Sequence, residues 1–140
     1  MKEKEIINLV FTETKKTKMT YRDLLDAQNG ISWLNGLKLD VVIAFQVSTF
    51  LKNNNKLLFE WNISRDKKIK EWGAEDKDEK GHRTGGWKVL PENQSKFDKW
   101  VDEFLNQEIE IDHPVFTFTD LKITEIEPAY LTNILWMFEI

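Results

Sequence analysis

From Val47 to Trp72 the apolar residues keep a helical step. Val47, Leu51, Leu58, Trp61 and Trp72 follow one another at intervals of three, four or sums of those, with polar residues between. That period predicts a helix with one buried face. Asp40 stands at its start as an N-cap, and Gly73 follows its end as a C′ residue. Run unbroken from Asp40 to Trp72, the helix has 33 residues and is about 50 Å long at 1.5 Å per residue. Asn53-Asn54-Asn55 falls in its middle, but the apolar phase continues across the triplet, so the pattern predicts one continuous spine.

Shorter elements flank it. Thr20, with Asp23 in the first turn, opens a helix carrying Leu24, Leu25, Ile31, Leu34 and Leu37, and Asn35-Gly36 marks its stop. Pro91 suits the first turn of another helix, whose stripe is Phe97, Trp100, Val101, Phe104 and Leu105. Residues 108–112 read Glu-Ile-Glu-Ile-Asp, the two-residue period of a strand with one face buried. His113-Pro114 reads as a turn, and Val115 to Thr119 alternates again as the partner strand. A last helix starts near Glu127-Pro128 and carries Tyr130, Leu131, Ile134, Leu135 and Phe138. Residues 74–90 form a charged, Gly-rich loop or hairpin, with Trp87 to Leu90 as a returning arm. Residues 1–19 form an N-terminal arm or edge strand, with Glu5 to Phe11 as its apolar, β-compatible part and Thr12 to Lys18 as a polar connector. The expected fold is helix-dominated α+β in a single domain over 1–140: a long helical spine, shorter packed helices and a small antiparallel sheet.

Composition supports a folded, soluble chain. Apolar residues are 41% and charged residues 31% of the 140, and six Trp and nine Phe supply large rings for a core. There is no Cys, which excludes disulfides, thiolate metal sites and a Cys nucleophile. The charged start, Met1 to Glu5, is followed by no apolar stretch of the kind a secretory signal carries. The longest apolar run, Val41 to Phe45, is far short of a membrane span of about 20 residues. Charge is uneven: residues 101–140 hold nine acids and one base, whereas 1–100 hold 15 acids and 19 bases. An acidic last third repels nucleic acid and suits a basic protein surface or plain solvation.

No catalytic, cofactor-binding or metal constellation emerges. Asp76-Lys77-Asp78-Glu79-Lys80-Gly81 approaches a calcium loop, but Lys80 stands at a ligand position and Trp87 where the bidentate Glu belongs. His82 and His113 lack metal-ligand spacing and read as surface and turn residues. No Gly-x-Ser-x-Gly elbow or phosphate loop is present. Lys80 to Lys88 mixes bases with one aromatic, as single-strand binders do, but Glu75 to Glu79 precede it and offset its field. The candidate contact residues are instead Glu108, Glu110 and Asp112. If Ile109 and Ile111 point inward, the three carboxylates line one strand face about 6–7 Å apart, and a basic partner would relieve their repulsion.

The order of short segments carries a resemblance. Leu24-Leu25-Asp26-Ala27, Leu37-Lys38-Leu39, Phe50-Leu51-Lys52 and Ile69-Lys70-Glu71-Trp72-Gly73 precede the charged Glu75 to Gly81 stretch. Lys96-Phe97, Glu103-Phe104-Leu105, Glu108 to Asp112, Thr119-Asp120-Leu121 and Leu135-Trp136-Met137-Phe138 follow. Over residues 20–140 this order resembles small uncharacterised proteins encoded by tailed bacteriophages. The resemblance implies a viral accessory protein with no assigned activity and no catalytic residues to carry over. It implies a protein partner from host or phage, in the host cytoplasm or the virion. Three functions follow as expectations: an inhibitor of a host enzyme or defence factor, a self-associating head or tail accessory subunit, or an enzyme of unrecognised type. Neither a cofactor nor a membrane is expected.

Overall fold

The computed structural model describes residues 14–139, so the expectation for Glu5 to Phe11 lies outside the described residues. Strand β1 (Thr14–Thr20) leads into two short helices, α1 (Tyr21–Asp26) and α2 (Gln28–Asn35), and then the long α3 (Val41–Trp72). A hairpin of β2 (Gly73–Lys77) and β3 (Arg83–Val89) follows, then α4 (Gln94–Leu105) and β4 (Glu108–Pro114). The chain closes with the single turn α5 (Pro128–Leu131) and a 3₁₀ segment, Thr132–Met137. This is helix-dominated α+β with two small two-stranded antiparallel sheets. The described chain divides into two compact units, residues 14–55 with 108–139, and residues 56–107.

The first unit is built on β1 and β4. Thr12 to Lys18 was expected as a connector and Val115 to Thr119 as the partner of 108–112. Instead Thr14–Thr20 pairs with β4, Thr14 opposite Pro114 through Thr20 opposite Glu108. Alternation places Met19, Ile111 and His113 in the core beneath the sheet. Val115–Thr119 forms no strand; only Phe116 makes an isolated bridge, to Phe138, and its ring is fully buried. Thr20 caps α1 with a capping box: its hydroxyl accepts the Asp23 N–H at 3.2 Å, and the Asp23 carboxylate accepts the Thr20 N–H at 3.1 Å. The helix expected from Thr20 to Leu37 breaks at Ala27 into α1 and α2, which bury Tyr21, Leu24, Gly30, Ile31 and Leu34. Gly30 is required there, because a Cβ would run into the Tyr130 carbonyl and the Ile134 side chain. The expected last helix tightens to 3₁₀ after Leu131 and buries Ile134 and Met137.

The long helix is unbroken, as its apolar phase predicts. In the first unit it buries Val47, Phe50 and Asn54, with Leu51 half-buried. Asn54, at the centre of the polar triplet, lies in the core at 2% exposure yet is fully satisfied. Its amide and that of Gln28 exchange two hydrogen bonds, 2.9 and 3.1 Å, and Gln28 also donates to the Leu24 carbonyl at 2.7 Å. A helix therefore passes through the triplet without leaving a buried polar group unpaired.

In the second unit, the inner face of α3 meets α4. The Trp61 ring stacks on Trp100, centroids 5.9 Å apart and 10° from parallel, and lies 5.2 Å from Phe104. Phe97 and Phe104 pack on Trp100 in turn. Leu58 and Trp72, expected on the buried face, are only half-buried. Gly73 is the first residue of β2, where a Cβ would collide with the Lys88 and Ile69 carbonyls. Of the loop or hairpin expected over 74–90, the chain forms the hairpin, β2 pairing antiparallel with β3 around a short turn between Lys77 and Arg83.

Candidate functional site

The predicted carboxylate row exists. Glu108, Glu110 and Asp112 are exposed on one face of β4, and Ile109 and Ile111 point the other way. Lys18 sits directly across from Glu110 and Lys16 from Asp112. Lys16 Nζ lies 3.9 Å from the Glu110 carboxylate, and Lys18 Nζ lies 4.0 Å from that of Glu108. The repulsion that would have favoured a basic partner is therefore relieved within the chain, by lysines on the strand that was read as a connector.

The reading of His113 as a turn residue is overturned: it belongs to β4. It sits on the inner face of β4 at 1% exposure, next in the two-residue series after Ile109 and Ile111. Its Nδ1 lies 2.9 Å from the Pro114 carbonyl, which can only accept, so Nδ1 carries the proton. Nε2 is then free to accept the Thr17 hydroxyl, 2.6 Å away. The Trp136 indole meets the imidazole edge-on at 4.9 Å. Burial holds the His113 pKa below its ordinary 6.5, helped by Lys15 and opposed by the Pro114 hydrogen bond and Asp112. The ring therefore fastens β1 to β4 in its neutral form. It also walls a cleft of about 320 Å³ with Phe50 and Pro114, which Lys16, Asp112, Gln46 and Asn53 line as well. Both ring nitrogens are engaged in structural bonds, so the histidine is not poised for proton transfer in that cleft.

A different surface stands out in the second unit. Phe59 is 64% exposed and Ile63 50%, one turn apart on α3. At 100° per residue each lies about 160° around the helix from Trp61, on the side away from the aromatic cluster. On the hairpin, Trp87 is 41% exposed. Trp87, Gly85 and Gly86 line a groove of about 360 Å³ with Asp66, Ile69 and Lys70 of α3. The sequence carried a signal for this face: an apolar pair at i and i+4, off the phase of the buried stripe.

The hairpin also carries two motifs of the sequence. The Asp78 carboxylate accepts the backbone N–H groups of Lys80 and His82, both at 2.9 Å, and Gly81 takes φ 82°. The calcium-like segment is therefore a turn held by its own Asp, as Asx turns are. Arg83 pairs with Glu75 at 2.8 Å and Lys88 with Asp76 at 3.3 Å, so two of the bases in the Lys80 to Lys88 stretch are matched across the hairpin. Among the described residues no three His, Asp or Glu side chains are grouped to hold a metal ion, and no helix is long and apolar enough to cross a membrane.

No protein-family model matches the chain, and no match is found among curated proteins or solved structures.

Proposed function

We propose that this protein acts by binding another protein, through the face of α3 and the β2–β3 hairpin that carries Phe59, Ile63 and Trp87. The observation behind this reading is the exposure of those three side chains in one compact unit. Solvated helix faces rarely hold two large apolar residues one turn apart beside an exposed indole, whereas interfaces are enriched in such anchors. Within this reading, the resemblance in segment order to tailed-phage proteins makes the partner a host enzyme or defence factor, met in the host cytoplasm.

The test is affinity capture from host lysate with mass spectrometry, using wild type and the variants Phe59→Ser and Trp87→Ser. Wild type is expected to retain one protein that both variants lose while keeping their circular dichroism spectra. Retention by both variants would remove the interface. Co-sedimentation with phage particles, in place of a host protein, would make the chain a virion component.

A further inference from the structure

The exposed apolar pair on α3 does not stand alone. Lys56, Lys67 and Lys70 are exposed, and none makes an ion pair among the described residues. On the helical wheel they fall within about 80° of Phe59, as does Ile63. Three other cations near this face are occupied: Arg83 and Lys88 by the hairpin acids, and Lys68 by Glu71 at 3.2 Å and the Trp72 ring at 4.9 Å. One helix face thus combines two apolar anchors with three uncommitted ammonium groups, beside a groove walled by Trp87. Its single acid is Asp66, which lies 3.6 Å from Arg65.

We propose that this face receives an acidic amphipathic segment of the partner protein. Its apolar side chains would cover Phe59, Ile63 and the Trp87 groove, and its carboxylates would meet Lys56, Lys67 and Lys70. Charge complementarity selects this occupant, because apolar anchors alone would accept any hydrophobic helix, and flanking lysines reject basic ones. A nucleic acid fits less well. The face offers one indole for stacking, and Asp66 and Glu75 line the groove walls on either side of Trp87. The proposal rests on the protein-binding reading and adds the chemistry of the partner.

The probe is a designed helical peptide with leucines at i, i+3, i+4 and i+7 and glutamates on both flanks. A second peptide replaces the glutamates with lysines. Binding is read from the Trp87 indole resonance of the full chain. The acidic peptide is expected to shift that resonance saturably and to bind more weakly as salt is raised. The Lys56→Glu/Lys67→Glu/Lys70→Glu variant should lose about tenfold in affinity for it and gain affinity for the lysine peptide. The proposal is overturned if the acidic peptide gives no shift, if both peptides bind wild type equally, or if only phosphatidylserine vesicles or a single-stranded oligonucleotide move Trp87. The two readings fail separately. Capture of the cellular partner that needs Phe59 and Trp87 but ignores the lysine reversal removes the acidic segment alone. Capture that ignores Phe59 and Trp87 removes both.

Discussion

Burial of His113 changes what its protonation does. The folded chain holds the ring neutral, with a pKa below 6.5, whereas the unfolded chain titrates near that ordinary value. Below 6.5 the unfolded state takes up a proton that the folded state does not, so the stability contributed by neutral His113 is complete above 6.5 and is lost as pH falls toward the folded pKa. The urea midpoint of wild type should therefore fall more between about pH 7.5 and 5.5 than that of His113→Asn, which cannot titrate. Parallel pH profiles would show that the ring is not held neutral. Asn54 makes the same point without charge. Asn54→Ala leaves the Gln28 amide without its partner and should cost about 1–3 kcal/mol. The double variant with Gln28→Ala should lose less than the sum of the singles, by about 0.5–3 kcal/mol of coupling in urea unfolding. Strict additivity would mean that the two amides do not act as a pair.

Elements differ in what depends on each residue. Trp61 is 8% exposed and touches the rings of Trp100 and Phe104, so Trp61→Ala should cost about 3–5 kcal/mol. Leu58, half-buried on the same helix, should cost clearly less than the 2–5 kcal/mol typical of a core Leu→Ala. Equal urea midpoints for the two variants would contradict the packing described. On the β1–β4 ladder, Glu110→Lys would set a third ammonium beside Lys16 and Lys18. It should lower stability by roughly 0.2–1 kcal/mol, with the loss shrinking at high salt. An unchanged midpoint would leave the acidic row without a structural role. These elements also show what the sequence could convey. The spine was legible because 26 residues from Val47 to Trp72 repeat one period, and local phase survives even a polar triplet. The partner of β4 was not, because pairing Thr14 with Pro114 spans the chain and leaves no local mark. The alternation at 108–112 did foretell the exposed carboxylates, but the lysines that offset them sat on a strand with too few apolar residues to read as one. The Phe59–Ile63 face was not legible, because a single apolar pair off the buried phase does not differ in sequence from the apolar residues that any surface exposes.

At the scale of the molecule, the chain crosses between its two units twice, within α3 and between Gln107 and Glu108. The first crossing is inside a helix that supplies Val47, Phe50 and Asn54 to one unit and Trp61 to the other. Loss of either unit would leave about half of α3 without packing, and an unsupported helix of that length is marginal in water. Unfolding of one unit therefore weakens the other through shared backbone, and wild type is expected to unfold in a single transition. The tryptophans allow a test, since Trp61, Trp72, Trp87 and Trp100 belong to the second unit and only Trp33 and Trp136 to the first. Fluorescence thus weights the second unit, while far-ultraviolet circular dichroism reports both, and the two curves should coincide in urea. Asn55 is exposed at the boundary, so Asn55→Pro breaks the helix there at a cost of about 3 kcal/mol without replacing a core side chain. In that variant the fluorescence and dichroism curves should separate. Non-coincident curves in wild type, or curves that still coincide after Asn55→Pro, would show that the helix does not couple the units.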